Sequence, residues 1–294
     1  MFIRRLPKFD YHTPASIAEA LDLATKYGDS GRFIAGGTDL LLAMKKREAA
    51  PEHLISLGGI TGLKGISSDG KGLKIGALTT LAEIERSEAV KKQFLPLRDA
   101  VNVMASAQIR SLATIGGNLC SAVPSADTAP PLIAMGASLT LVGPQGERSV
   151  AAEDFFTGPK ESVRRQNEIL TAIRVPKPDA LSSGCYLKLM RRHAMDLALV
   201  GVAAWLKLDT DKKRCTEARV ALGAVAPMPI RVLEIESLIV GKVIDEAVVT
   251  EASRIAGAQC RPISDIRASL EYRCSMVAVL TRRAVMEAYR RITA

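Results

Sequence analysis

Aromatic side chains make up only 4% of this sequence, with one tryptophan, five tyrosines and six phenylalanines among 294 residues. That leaves little material for stacking on bases, and no nucleic-acid recognition motif is present. The formal charge of +9 does not reverse this conclusion, because the basic residues come as scattered pairs and triplets such as Lys45–Arg47, Arg164–Arg165 and Lys212–Arg214. They read as a solvated surface, part of it facing dianionic ligands or an acidic partner. Cysteine and histidine are equally sparse. Five cysteines at 120, 185, 215, 260 and 274 form no CxxC, and only His12, His53 and His193 carry imidazoles, so neither a zinc site nor an iron-sulfur cluster has its usual ligand spacing. The thiols are expected to be reduced and mostly buried. The apolar run Leu197–Leu206 is far shorter than the ~20 residues that cross a bilayer, so no membrane span is expected. Arg4 and Arg5 are followed at once by Pro7, Lys8 and Asp10, which does not support a secretory signal and makes a cytoplasmic location the expectation.

Also missing is a Ser-His-Asp, Cys-His or paired-carboxylate constellation, which argues against hydrolytic or acid-base chemistry by protein groups. Where side chains offer no chemistry a cofactor must carry it, and the protein supplies position and electrostatics.

What is present is a nearly uncharged central stretch, Ala113–Asp127, with a glycine pair between a β-branched run and a loop of small polar residues. Gly116 and Gly117 are expected to form a tight turn presenting unhindered N–H groups, as a phosphate or pyrophosphate needs. Thr114, Asn118, Ser121 and Ser125 surround it, and Asp127 is the only ionised residue between Arg110 and Glu147. A lone carboxylate in such surroundings calls for a partner. A buried glycine turn between two strands is the competing structural reading. A second stretch of the same character, Phe33–Leu42, reads as a strand end (Phe33, Ile34, Ala35), a tight loop (Gly36, Gly37) and a helix begun by Thr38 or Asp39 and continued by Leu40. Strand, glycine loop and helix start make an anion cradle, though neither a Walker loop nor a GxGxxG fingerprint.

Together, Ala35–Asp39, Ile109–Asn118, Pro124–Asp127, Lys188–Arg192 with Asp196–Leu199, and Ser269–Arg273 leading into Arg282–Ala284 resemble the FAD-binding medium subunit of molybdenum hydroxylases, the xanthine dehydrogenase and carbon monoxide dehydrogenase family. The resemblance implies non-covalent FAD, held by the two glycine loops and by Ala113, and an electron-transfer role in a larger oxidoreductase. It implies partners as well: a small subunit with two 2Fe-2S clusters, a large molybdopterin-binding subunit, assembly as a heterotrimer or a dimer of heterotrimers, and an external acceptor such as NAD. By the same resemblance Ala77 and Leu78 match a loop near the flavin ring, Ile169 and Leu170 match positions packing on FAD, and Asp127 matches a carboxylate that helps hold the cofactor. From sequence alone, Ala77 is equally well read as a strand running into a helix cap. Lys188, Arg191 and Arg192 allow three readings: phosphate partners, flavin-edge contacts, or decoration of a strand end. Lys188 is taken as the site residue, and Arg110 as a brace for the loop. Ala126 departs from the family, in which many relatives have serine; the change removes one hydrogen bond worth roughly 0.5 to 1.5 kcal/mol. Two rival readings are a stand-alone flavin oxidase or dehydrogenase and a non-catalytic nucleotide-binding module.

A chain of 294 residues approaches the limit of a single core, roughly 250 to 300 residues, so two domains are expected. The fold class is α+β, with an N-terminal two-lobed FAD-binding domain of the vanillyl-alcohol-oxidase and CO dehydrogenase flavoprotein type over residues 1–176, as the resemblance implies. A C-terminal domain of antiparallel sheet with helices occupies 177–294, the boundary marked by Pro176, Pro178 and the small polar residues that follow. The pattern predicts a helix over 14–27, a hairpin turning at Asp69–Gly70, and a capping box from Thr80 to Glu83. Further expected elements are a strand over 63–67, a strand over 168–175, antiparallel strands over 185–190, 199–208 and 218–222, and three closing helices. On the last helix Tyr272, Met276, Val279, Arg283, Met286 and Arg290 are expected to face the core.

Overall fold

The computed structural model of the protein describes residues 5–192 and 195–294; the first four residues and His193, both used above, lie outside it. The first lobe comprises β1 (Asp10–His12), α1 (Ile17–Tyr27), β2 (Gly31–Ile34), α2 (Leu40–Lys46) and β3 (His53–Ser56). The strands form a parallel sheet in the order β1-β3-β2. Helix α1 starts later than expected because Ser16 caps it, accepting the Glu19 N–H at 3.1 Å. It stops at Gly28, whose φ of 47° suits glycine. Ala20, Leu21 and Ala24 face Ile55 and Leu57, and Met44 of α2 packs with Ile34 and Leu54.

The second lobe runs through β4 (Ile66–Asp69), β5 (Gly72–Gly76), α3 (Leu81–Arg86), α4 (Glu88–Gln93), α5 (Leu95–Asn102), α6 (Ala107–Arg110), α7 (Ile115–Ser121) and α8 (Ala129–Ala134). It continues with β6 (Ser138–Gly143), β7 (Gly146–Ala151), β8 (Phe156–Gly158), β9 (Glu161–Ser162) and β10 (Ile169–Pro176). Five of these strands form an antiparallel sheet in the order β4-β5-β10-β6-β7. Strand β4 begins later than predicted, since Thr61–Leu63 close into a 3-10 turn first. The hairpin is fastened by Asp69, whose Oδ1 accepts the N–H groups of Lys71 and Gly72 at 2.8 and 3.0 Å. Thr80 and Glu83 form the reciprocal capping box at the start of α3.

The last part holds β11 (Ser182–Leu189), β12 (Val200–Leu208), β13 (Cys215–Gly223), β14 (Ile230–Arg231), α9 (Leu233–Ile239), α10 (Glu246–Gln259) and α11 (Leu270–Thr293). Its four strands are antiparallel and follow chain order. Strand β12 shows why the sheet is covered on both sides. Val200, Val202, Ala204, Leu206 and Leu208 join the core beneath α9, α10 and α11, whereas the intervening Ala203 and Trp205 join the core formed by α5 and α8 of the second lobe.

The expected core stripe of α11 is corrected by the structure. Its buried face is Arg273, Val277, Leu280, Ala284, Val285, Ala288 and Ile292, one position on from the predicted stripe. Tyr272, Val279, Met286, Arg283 and Arg290 are exposed, and Met276 is half-buried. Near-identical apolar spacing on two adjacent faces misled the reading, and a buried cation settled the true face: Arg273 donates to the Leu199 carbonyl at 2.8 Å and pairs with Asp265 at 3.0 Å.

Candidate functional site

The parallel sheet ends β2 at Ile34, and the chain then turns through Ala35–Asp39 into α2, at the carboxyl end of the strand where open α/β sheets bind ligands. Gly37 has a φ of 71°, which a side chain would strain. Among the described residues, the N–H groups of Gly36, Gly37, Thr38 and Asp39 donate to no protein acceptor. Four consecutive free donors at a loop make a nest for an anion. Asp39 occupies the cap position of α2, but its side chain caps nothing.

The second glycine pair differs from the expected turn. Gly116 and Gly117 sit in the first turn of α7, with Thr114 as the cap. Their N–H groups are already spent: Gly116 donates to the Ala77 carbonyl at 2.8 Å and Gly117 to the Thr114 hydroxyl at 3.0 Å. Glycine is required here by close approach. A Cβ on Gly116 would stand 2.7 Å from both Cβ and O of Ala77, and one on Gly36 would fall on the Leu112 carbonyl oxygen. The loops are therefore packed against each other and against the Ala77 loop. A Cβ on Gly117 would meet only a side-chain atom, the capping Thr114 hydroxyl, but at 2.9 Å, so that cap would have to shift.

Every candidate residue named above, from Phe33 to Lys188, lines one cavity of about 610 Å³, within the range of small-molecule sites. Phe33, Leu78, Ile169 and Leu170 give it apolar walls. Glu168, just before Ile169, fixes the start of β10: it takes two hydrogen bonds from Arg148, at 2.7 and 2.8 Å, and these hold its carboxyl below the usual range. Deeper in the wall, Asp127 has the partner its isolation demanded. Lys188 Nζ donates to Oδ2 at 2.8 Å, and the Tyr186 hydroxyl donates to Oδ1 at 2.7 Å. Burial pushes the Asp127 carboxyl above its usual range, opposed by Lys188 and Tyr186. Burial also raises the Tyr186 phenol, which stays a proton donor.

Arg110 acts as the expected brace, bridging Glu85 and the Met104 carbonyl away from the cavity. Arg191 and Arg192 are exposed and absent from the cavity wall; their backbone N–H groups bind Asp196, at 2.9 and 3.1 Å. Sequence reasoning missed Arg164, Met104, Ile109, Met195 and Cys120 at the wall, and Tyr186 behind it. Tyr186 was within reach: strand alternation puts it on the same face of β11 as Lys188. Cys120 lines the cavity with its thiol pushed up by burial, so it offers little of the thiolate that attacks electrophiles.

Residues 7–178 match the family described as the FAD binding domain in molybdopterin dehydrogenase, and residues 185–288 match the CO dehydrogenase flavoprotein C-terminal domain. The chain belongs to the FAD-binding medium-subunit family of molybdenum hydroxylases. It is 38% identical to the carbon monoxide dehydrogenase medium chain of Afipia carboxidovorans, over 95% of this chain and 96% of that one. Against the xanthine dehydrogenase FAD-binding subunit of Escherichia coli O157:H7 the identity is 31%, with 95% of each covered. Among solved structures, carbon monoxide dehydrogenase from Hydrogenophaga pseudoflava superposes with a TM-score of 0.95 at 34% identity, covering 98% of this chain and 99% of that chain. Quinoline 2-oxidoreductase from Pseudomonas putida 86 superposes with a TM-score of 0.92 at 30% identity, covering 99% and 100%. The α+β flavoprotein fold is thus that of the CO dehydrogenase medium chain, and FAD is the cofactor of this family.

The cavity fits FAD on its own terms. The four free N–H groups suit a diphosphate, and apolar walls suit flat rings. Among the described residues there is no group of His, Cys, Asp and Glu able to hold a metal, and no helix long and apolar enough to cross a membrane.

Proposed function

We propose that this chain is the electron-transfer subunit of a molybdenum hydroxylase, drawing electrons from the 2Fe-2S clusters of a small partner and passing them to an external acceptor such as NAD. Substrate hydroxylation belongs to a large molybdopterin subunit in this reading, and the complex forms a heterotrimer or a dimer of heterotrimers. The carrying observation is a cavity that offers a diphosphate nest and apolar walls and, among the described residues, no Ser-His-Asp or Cys-His constellation. Bound FAD supplies redox chemistry, taking up electrons singly and giving them up in pairs.

The loop Gly36–Asp39 binds the diphosphate, Gly117 gives it room, and the walls from Phe33, Leu78, Ile169 and Leu170 exclude water from the rings. Asp127 and Lys188 meet the polar edge of the flavin. Binding is non-covalent, a reading supported by the protonated state that burial favours for Cys120. The division into residues 1–176 and 177–294 belongs to this proposal, with the shared packing of Trp205 keeping the two parts together. A cytoplasmic location belongs to the same reading.

The test is to express the chain alone and with its neighbouring subunits. The lone chain is expected to be yellow, to release FAD on denaturation, and to lack substrate-dependent dye reduction that the assembled complex performs. Robust substrate turnover by the lone chain overturns the proposal in favour of a stand-alone flavin oxidase, and a colourless chain that cannot be reconstituted with FAD favours a binding module.

A further inference from the structure

Lys188 is almost wholly buried, its side chain 1% exposed, yet it lines the cavity. Of its three N–H groups, one goes to Asp127 at 2.8 Å and one weakly to the Val103 carbonyl at 3.4 Å. The third has no acceptor among the described residues. The direction in which that free donor points depends on Asp127, and Asp127 in turn is held from its other side by Tyr186. Tyr186 itself does not line the cavity, so it reaches a ligand only through Asp127.

The seat of Tyr186 is built for this contact. In the β11–β12 ladder Lys188 lies opposite Gly201. A Cβ on Gly201 would stand 2.6 Å from the Tyr186 hydroxyl, so this glycine leaves the space in which the phenol reaches Asp127. The Tyr186 N–H donates to Asp99 of α5 at 3.3 Å, and Arg291 of α11 holds Asp99 at 2.7 Å while also donating to the Gly184 carbonyl at 2.7 Å. Arg98 pairs with the other oxygen of Asp99 at 2.8 Å. A continuous chain of hydrogen bonds thus runs from the carboxyl-terminal helix to the cavity wall.

We propose that Tyr186, seated over Gly201, is a positioning residue of the FAD site: its hydroxyl orients the Asp127 carboxylate and thereby aims the Lys188 ammonium at the bound cofactor. This rests on the reading that FAD occupies the cavity with its polar edge at Lys188. The groups bonded to Asp127 are Tyr186 and Lys188, both from β11, with Asp99 and Arg98 of α5 and Arg291 of α11 standing behind Tyr186. Removing the phenolic donor leaves one Asp127 oxygen unsatisfied and disfavours the anion.

The experiment measures FAD dissociation from the full chain across pH 4.5 to 8 for the wild type, Tyr186→Phe, Asp127→Asn, the double variant and Gly201→Ala, with circular dichroism as the control for folding. Tyr186→Phe is expected to weaken FAD binding about tenfold at neutral pH and to move the acid limb of binding up by about one pH unit. In the Asp127→Asn background the same change should add little, because the two act as one unit. Gly201→Ala, which displaces the phenol without removing it, should move the limb in the same direction, and it carries the test if Tyr186→Phe fails to fold. An acid limb unmoved in folded Tyr186→Phe, or in Gly201→Ala in its place, overturns the inference while leaving the FAD reading intact. Additive effects of Tyr186→Phe and Asp127→Asn overturn it as well. A wild-type chain that binds no FAD at any pH overturns both.

Discussion

The Ser121 hydroxyl donates to the Asp39 carboxylate at 2.6 Å, joining residues that are 82 positions apart in the chain. This bond ties the start of α2 to the end of α7, so that the two glycine-bearing segments are held at one separation across the cavity. Hydroxyl-to-carboxylate bonds of this length belong to the stronger class, although the exposure of Asp39 weakens this one. Ser121→Ala is expected to fold normally, lose about 1 kcal/mol of stability, and bind FAD several-fold more weakly. Thermal unfolding and flavin titration check both effects. Unchanged affinity would show that the separation of the loops is set by the packing of Gly36 and Gly116 alone.

The four loop glycines are predicted to respond differently. Gly36→Ala and Gly116→Ala drive a methyl group into neighbouring backbone, at the Leu112 carbonyl and at Ala77, and should cost stability before they cost ligand. Gly37→Val forces a β-branched residue to a φ of 71° beside Leu41 and should be strained by roughly 1 to 3 kcal/mol. Gly117→Ala meets only the Thr114 hydroxyl, at 2.9 Å, and should cost less stability than Gly36→Ala or Gly116→Ala while losing FAD affinity. Denaturant midpoints set beside flavin content per chain separate the groups; equal loss of stability in all four variants would remove the distinction.

Asp127→Ala leaves the Lys188 ammonium buried and unpaired. Breaking one side of a buried pair is expected to cost about 3 to 5 kcal/mol, whereas replacing both partners by apolar residues is far milder. The double variant Asp127→Ala with Lys188→Met should therefore be more stable than Asp127→Ala alone, and neither should hold FAD as the wild type does. A double variant no more stable than the single one would mean that the pair is solvated in a way its burial does not suggest.

Near the carboxyl terminus, Glu287 accepts hydrogen bonds from Arg290 and Arg291, each at 2.8 Å. These, the Arg290 bond first, hold its carboxyl down at about 2 against an ordinary 4.5. A carboxyl lowered in the folded state contributes stability that is fully present above pH 4.5 and is lost as pH falls through its folded value. Because Arg290 is largely exposed, the contribution at neutral pH should stay below about 1 kcal/mol. Glu287→Gln should thus be slightly less stable than the wild type at pH 7, with the gap closing between pH 4.5 and pH 2. A gap that stays constant over that window would assign the loss to packing rather than charge.

Local chemistry made much of the molecule legible from its sequence. The capping box of Thr80 and Glu83, the hairpin turn of Asp69, the stop at Gly28 and the strand-loop-helix around Gly36 depend on residues within a few positions of one another, so they are written into short stretches of chain. The demand of Asp127 for a partner could be read because an isolated carboxylate in apolar surroundings is costly wherever the chain folds. The face of α11 was misread because two neighbouring stripes have nearly the same apolar content. Only packing against β11 and β12, with Arg273 reaching Leu199, chooses between them.

The sequence by itself determined the two glycine segments, the lack of metal-ligand spacing and of a Ser-His-Asp or Cys-His motif, and the family to which those motifs point. Tertiary structure alone decided that Gly116 and Gly117 spend their N–H groups on Ala77 and Thr114 while Gly36–Asp39 keep theirs free. It alone placed Tyr186 and Lys188 on Asp127, and Asp39 on Ser121. The reason is physical: whether a donor is available depends on which acceptors the rest of the chain brings within about 3 Å, and those acceptors come from residues dozens of positions away.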